Sequence, residues 1–191
     1  MSLYKKTEKF VQESFLKTFR KKSKHSERTV FWLKKIYPQA DEAMLIAAIA
    51  HDVERAFKEN ILDGIENRKK GFLDRKEMKR HQEKGAEIIA EFLAQQNADK
   101  KIIEKVKLLV SKHEFGGDEE QNILKDADSL SFLENNIDHF INNYIDEVGK
   151  KEVEDKITWM FERMTSEDAK EIAGSWYKDA IKKIEKVKAD S

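Results

Sequence analysis

The scarcity of proline and glycine, the residues typical of tight turns, constrains the possible folds of this chain more than any other feature of its sequence. Its 191 residues include one proline, Pro38, and seven glycines, whereas strands joined by tight turns normally need many more of both. Helix formers such as Leu, Ala, Lys and Glu are abundant instead. The sequence therefore predicts an all-α fold, built as one helical-bundle domain over residues 1–191.

The charge balance and the absence of cysteine exclude several classes of function. The chain has 37 basic and 37 acidic residues, so we expect neither a nucleic-acid polymer nor a membrane surface as partner. No apolar run approaches the ~20 residues that span a bilayer. Without cysteine, disulfides and thiolate metal ligands are excluded. We expect a cytoplasmic protein.

Periodic apolar residues predict where the helices lie. We place the first three helices at about residues 3–20, 26–36 and 42–52. A fourth helix starts at residue 81, and a fifth runs from residue 97 or 99 to residue 113. The last three lie at about 121–135, 138–164, with a break at Gly149, and 166–188. Residues 58–79 lack this periodicity and are rich in Lys, Arg, Asn and Gly, which predicts a loop or a lid. The apolar stripe of the last helix packs either on the core or on a second copy in a homodimer.

The five histidines are placed unusually. Four of them stand at the start or the end of a predicted helix: His25, His51, His81 and His113. Side chains at helix ends from different helices can converge on one pocket. The fifth, His139, has no matching partner, and we expect it to be an ordinary surface or core side chain.

Two carboxylates stand in apolar surroundings, where an unpaired charge is costly. Asp52 follows His51 at the end of "IAAIAHD", and Asp128 lies in "ILKDADSLSFL". Metal ions would balance these charges, and imidazole nitrogens and carboxylate oxygens suit Fe, Mn, Zn, Ni or Co, with Mg as a further candidate. The predicted ligands are enough for one or two divalent ions, with Asp52 able to bridge: His25, His51, Asp52, His81, His113 and Asp128.

The order His, His-Asp, His, His, Asp in an all-α chain resembles the HD-domain superfamily of metal-dependent phosphohydrolases. The likeness covers roughly residues 25–134 and rests on "HSERT", the His51-Asp52 doublet, "HQEKGAEII" and "DADSL". His113 resembles the additional histidine of the two-metal branches. The resemblance implies a metal-site core at about 25–134, with the helices of residues 138–188 packed on it.

The resemblance also implies a function. We expect hydrolysis of a phosphoester in a nucleotide or a related small phosphate, by water that a metal activates. Asp52 is then both ligand and catalytic residue, Glu54 orients water or acts as a base, and Arg55 and Lys84 offset charge on the phosphoryl group. The sequence leaves two alternatives open: a di-iron oxygenase on the same ligands, and a regulatory module without catalysis.

Ordinary structural roles compete with several of these assignments. A histidine that ends a helix, such as His113, also interacts favourably with the helix dipole. Arg55 and Lys84 are of a residue type that usually belongs to a solvated face. Asp126, beside the predicted ligand Asp128, is expected to cap a helix or to face solvent.

Overall fold

The computed structural model of the protein describes residues 1–57 and 71–187. Within them the chain is helical, without a strand, as predicted. The helices are α1 (Leu3–Phe19), α2 (Lys24–Ile36), α3 (Glu42–Ala50), a 3₁₀-helix (Val53–Phe57), α4 (Arg75–Gln95), α5 (Lys100–Val110), α6 (Glu119–Asn135), α7 (Ile137–Val148), α8 (Lys150–Glu162) and α9 (Glu167–Lys186).

Most of these helices are capped at the N-terminus by a polar side chain, which accepts a hydrogen bond from a free backbone N–H group. Ser23 caps α2, Asp41 caps α3 and Asp99 caps α5. Gly149 has a positive φ of 93°, a conformation that L side chains rarely adopt, and it separates α7 from α8. The predicted break at this residue is therefore confirmed.

Two predicted helix boundaries near the histidines are wrong. Helix α3 ends at Ala50, so the His51-Asp52 doublet lies in the turn that follows. Helix α4 starts at Arg75 because Asp74 caps it by accepting the Glu77 N–H group; it does not start at His81. Residues 75–79 are thus helical, and most of the predicted lid falls on residues 58–70, outside the described residues.

The buried apolar side chains form two clusters that meet along α6. Leu124 and Ala127 belong to the cluster formed with α1 to α5. Leu130 and Leu133 belong to the cluster formed with α7 to α9. Asp128 therefore lies where the two clusters meet. The organisation of the chain as one domain stays a prediction.

The apolar stripe of α9 packs mainly against this second cluster. Ile184 is fully buried, and Trp176 contacts Trp32 of α2 edge to face at a centroid distance of 5.7 Å. Ile172 is 37 % exposed. Of the described helices, none is both long and apolar enough to cross a membrane.

Candidate metal centre

The six predicted ligand residues come from five separate parts of the chain and meet in one buried cluster. His25 lies in the first turn of α2, and Asp128 lies in the middle of α6. The other four are His51 and Asp52 in the turn after α3, His81 in the second turn of α4, and His113 in the turn after α5. The fold thus brings all six together, although their assignment as ligands stays a prediction.

The first part of the cluster lies between α2, α3 and α6. The Nε2 atoms of His25 and His51 are 3.2 Å apart. Asp128 Oδ1 lies 2.9 Å from the His25 Nε2 atom and 3.4 Å from that of His51. Asp52 Oδ2 lies 4.0 Å from His25 Nε2. These donors are close enough to share one cation.

The second part uses the other oxygen of Asp52. Asp52 Oδ1 lies 2.9 Å from His81 Nε2, and one donor atom each of Asp52, His81 and His113 lie within 4.8 Å of one another. Asp52 also belongs to such a group with His25 and His51. Its carboxylate therefore stands between two sets of histidines, the position that a bridging ligand would take.

Two of the imidazoles are fixed by the helices that precede them. The Nδ1 atom of His51 lies 2.9 Å from the Ala48 carbonyl oxygen, and that of His113 lies 2.7 Å from the Val110 carbonyl oxygen. A carbonyl oxygen only accepts, so Nδ1 carries the proton in both rings. The neutral form of each ring then presents the lone pair of Nε2 to the cluster.

Acidic and hydroxyl side chains fix the other two imidazoles. His81 Nδ1 lies 2.8 Å from Glu54 Oε2, which accepts its proton. His25 Nδ1 lies 2.8 Å from Ser131 Oγ, and the same hydroxyl donates to the His25 carbonyl at 2.8 Å. Because the hydroxyl proton is already used, Nδ1 must donate. In its neutral form, each of the four rings therefore presents Nε2 as a possible ligand atom.

This donor set fits divalent metal ions. Neutral Nε2 atoms placed 3.2 Å apart in His25 and His51 repel one another unless a proton or a metal cation lies between them. The carboxylates supply the negative charge that a divalent cation needs, and nitrogen with oxygen donors suits Mn, Fe, Co, Ni or Zn.

The protein's own charges shift the pKa values of the cluster. Burial opposes the charged form of His51, but the Asp128 and Asp52 carboxylates outweigh it and raise the His51 pKa to about 9. Burial lowers the pKa of His113 to about 4. Despite burial, Arg55 and the neighbouring histidines hold the pKa of Asp52 well below its usual range. At neutral pH, His113 is therefore neutral and Asp52 anionic, the forms in which both could bind a metal ion.

Two buried residues of the site were missed by the sequence prediction. Glu114 follows His113, and its Oε1 atom lies 3.9 Å from His113 Nε2. Arg163, just after α8, donates to Asp128 at 2.5 Å, to Glu114 Oε2 at 2.8 Å and to Ser129 at 2.8 Å. Lys156 and Arg163 outweigh burial and lower the pKa of Glu114 to about 2. Contacts between residues so far apart in the chain leave no local signal in the sequence.

The predicted catalytic residues differ in their positions. Glu54 is buried and accepts from His81 and, at 3.2 Å, from Arg80. Arg55 is 45 % exposed, and its Nε atom lies 2.9 Å from Asp52 Oδ1. Lys84 is exposed and pairs with Glu87 at 3.2 Å. The structure thus brings Glu54 and Arg55 to the cluster and leaves Lys84 on the surface, so its catalytic role stays a prediction without support from this geometry.

The remaining histidine and the neighbouring aspartate have other roles. His139 is exposed on α7, where its ring contacts Tyr144. Asp126 is buried and accepts the backbone N–H groups of Thr165 and Ser166 at the start of α9. Asp126 therefore anchors the turn before α9, a helix that the Ser166 side chain caps, and its carboxylate does not face solvent.

A glycine lets α4 approach the His51 turn closely. A Cβ atom at Gly85 would lie 3.3 Å from the His51 carbonyl oxygen, which is tighter than ordinary van der Waals contact. Gly85 stands four residues after His81 in "HQEKGAEII". It therefore lies on the same face of α4, the face that approaches the site.

The helical architecture together with this His/Asp cluster defines a protein of the HD-domain fold. A crystal structure at 1.45 Å resolution of a predicted HD superfamily hydrolase from an uncultured Thermotogales bacterium is similar, with a TM-score of 0.57. The two chains are 19 % identical, and the match covers 95 % of this chain and 88 % of the other. At that identity the likeness shows the fold.

The family assignment is more specific. Residues 6–184 match the family described as a domain of unknown function, DUF4202. The chain belongs to that family. No curated protein matches this chain.

Proposed function

We propose that the protein is a metal-dependent phosphohydrolase that cleaves a phosphoester of a nucleotide or a related small phosphate. The observation that carries the proposal is that four histidines, each hydrogen-bonded at Nδ1, leave Nε2 for a metal within one buried cluster that also contains Asp52 and Asp128. A site that only stabilised the fold would not need all four rings to present the same atom.

The ligands divide into two sets around Asp52. His25, His51 and Asp128 would hold one divalent ion with Asp52, and His81 and His113 would hold a second. Divalent ions supply a Lewis acid that makes water a nucleophile at neutral pH and that polarises a phosphoryl oxygen.

Residues around the ligands keep them ready for this role. Glu54 accepts the proton of His81 Nδ1 and so fixes the orientation of that ring. Arg163 holds Asp128 and Glu114 in place as anions. Arg55 bonds to Asp52 and is partly exposed, so its remaining N–H groups are within reach of an anionic substrate at the rim.

The first test is metal content. The protein would be purified without a His-tag, stripped with a chelator, reloaded with Mn²⁺ and analysed by mass spectrometry. We expect about two ions per chain in the wild type and about one in each of His113→Ala and His51→Ala, because the two histidines are assigned to different ions. His139→Ala, which changes an exposed histidine outside the cluster, should bind metal like the wild type.

The second test is turnover. The metal-loaded protein should release phosphate from nucleotides or small phosphate esters with redox-inert Zn²⁺ and without consuming oxygen. A folded wild-type protein that takes up no metal would refute the proposal. Iron-dependent oxygen consumption without phosphate release would indicate an oxygenase on the same ligands.

A further inference from the structure

Lys156 is a buried cation that the proposed ligand set does not use. It lies on α8 and is 9 % exposed. Its Nζ atom lies 4.5 Å from the centre of the Trp159 ring and 5.9 Å from that of the Phe132 ring. The side chain therefore extends through an apolar layer on the C-terminal side of the metal centre.

The charges that act on Lys156 belong to the metal centre. Glu114 and Asp128 attract its ammonium group, and Arg163 and Arg55 repel it. Lys156 is in turn the foremost charge that keeps Glu114 ionised. Geometry links the two as well: the Arg163 guanidinium lies 4.5 Å from the centre of the same Trp159 ring and bonds to Asp128 and Glu114. Lys156 therefore lies on the side of the metal centre that α8 faces.

The ammonium group lacks a bonding partner within residues 1–57 and 71–187, where it makes neither a hydrogen bond nor an ion pair. Two other buried cations nearby do have bonding partners. Arg163 bonds to Asp128 and Glu114, and Lys125 bonds to Asn122 and lies 3.7 Å from Asp126. The Lys156 ammonium group therefore has three N–H donors that none of the described residues accepts, and an anionic ligand could accept from them.

The tip of Lys156 is not fully enclosed. Among the described residues, no fully enclosed side-chain nitrogen or oxygen lacks a hydrogen-bond partner. Since the Lys156 ammonium does lack one, it must keep some accessible surface. Burial lowers its pKa to about 8, so the group is still mostly protonated at neutral pH.

We propose that Lys156 binds an anionic oxygen of the substrate's phosphoryl group and so forms a phosphate subsite beside the metal ligands. The proposal rests on the proposed function, which supplies the phosphorylated substrate. An ammonium group is a compact charge with three donors and suits a phosphoryl oxygen. Lys156 would then be a substrate-binding residue that the C-terminal helices contribute to the site.

The experiment compares two buried lysines. Lys156→Met removes the charge with similar length, and Lys125→Met does the same at a buried site outside the cluster. The probe is inorganic phosphate, titrated into Mn²⁺-loaded protein by calorimetry, with acetate as the comparison anion. We expect phosphate affinity to fall roughly 10- to 100-fold in Lys156→Met, as loss of a charged hydrogen bond implies, and to stay near the wild-type value in Lys125→Met.

The outcomes separate this proposal from the proposed function. If the wild type loads Mn²⁺ and Lys156→Met binds phosphate equally well, the phosphate subsite is refuted and the metal site stands. Equal losses for acetate and phosphate would refute selectivity for a phosphoryl group. If the wild type loads no Mn²⁺, the proposed function fails, and with it the substrate assigned to Lys156.

A measurement on the wild type avoids dependence on the folding of the variant. Reductive methylation followed by peptide mass spectrometry gives the labelling rate of each lysine. Inorganic phosphate should slow labelling of Lys156 several-fold on the metal-loaded protein and leave that of Lys125 unchanged. Labelling of Lys156 that is insensitive to phosphate would overturn the proposal.

Discussion

The Ser131 hydroxyl makes two hydrogen bonds to a single residue, His25. It donates to the His25 carbonyl oxygen and accepts from the His25 Nδ1 atom, both at 2.8 Å. One side chain of α6 thus fixes the start of α2 and also determines which nitrogen of the imidazole faces Asp128. The hydroxyl links the position of the backbone to the chemical state of the ligand.

Ser131→Ala should therefore weaken metal binding without unfolding the protein. Loss of a hydrogen bond that orients a ligand histidine typically lowers metal affinity about 10- to 100-fold. Competition with a fluorescent chelator measures this affinity for Mn²⁺. Thr29→Val is the matched control, because the Thr29 hydroxyl also donates to the His25 carbonyl, at 3.0 Å, but does not touch the ring. Equal affinities in the two variants would contradict the role assigned to Ser131.

Arg163 should be the most important residue for stability in the site. Its guanidinium bonds to Asp128 and Glu114, and all three side chains are at most 7 % exposed. Arg163→Met leaves two buried carboxylates without this partner, and breaking a buried ion pair costs about 3–5 kcal/mol. Urea unfolding in the presence of a chelator gives the free energy of unfolding.

A second arginine supplies the comparison for that prediction. Arg28 bonds to Glu134 through two hydrogen bonds of 2.7 and 2.6 Å, but these side chains are 27 % and 24 % exposed. Water screens the pair, so Arg28→Met should cost only about 1 kcal/mol. A loss from Arg163→Met no larger than this would show that the site does not depend on the buried network. Mn²⁺ should restore part of the stability of Arg163→Met, because the ion neutralises Asp128.

The sequence predicts the parts of this protein that depend on local pattern. The lack of turn residues predicts an all-α fold, and the His51-Asp52 doublet at the end of an apolar segment points to residues that the structure places in the buried cluster. Helix boundaries are less predictable where a single polar cap decides them, as Asp74 does for α4. His81 consequently lies within a helix, which periodicity alone did not reveal.

The parts that the sequence did not predict depend on tertiary contacts. Arg163 is 35 residues from Asp128 in the chain, and no spacing rule connects them. Ser131 is 106 residues from His25, and its hydroxyl could equally have faced solvent. Lys84 shows the limit of spacing in the other direction: it is three residues after the predicted ligand His81, but it is exposed and pairs with Glu87, so its catalytic role stays a prediction.

Substitution by alanine should change the stability of the protein differently at two helical glycines. A methyl group added at Gly174 in α9 would meet no neighbouring atom within 4 Å, whereas at Gly85 a Cβ would lie 3.3 Å from the His51 carbonyl oxygen. Alanine in a free helix position gains about 0.5–1 kcal/mol over glycine. Gly174→Ala should therefore stabilise the protein, and Gly85→Ala should gain less or lose stability. Gly85→Val should cost about 1–3 kcal/mol through overpacking. Thermal unfolding of the three variants tests the ranking, and equal gains from both alanines would contradict it.

Asp41 links acid sensitivity to the helix that precedes His51. Its Oδ1 atom accepts the Met44 N–H group at 2.9 Å and so caps α3, while Oδ2 accepts from Lys105 at 2.8 Å. Burial opposes its ionisation, but the Lys105 and Met44 bonds outweigh burial and lower the pKa of Asp41 below its usual value. A carboxylate with a lowered folded-state pKa stabilises the fold fully above its unfolded pKa of about 4, and this stabilisation is lost as the pH falls through the folded-state pKa.

Substitutions at Asp41 should separate its charge from its capping bond. Asp41→Asn keeps an oxygen for the Met44 N–H group but cannot ionise. Its free energy of unfolding should therefore lie below that of the wild type at pH 7 and approach it at acidic pH, where the wild-type Asp41 becomes protonated. Asp41→Ala should lose about 1 kcal/mol more at both pH values, because the cap itself is removed. Urea unfolding at the two pH values measures these differences. A difference between Asp41→Asn and the wild type that does not change with pH would show that the Asp41 charge contributes nothing to the stability of α3.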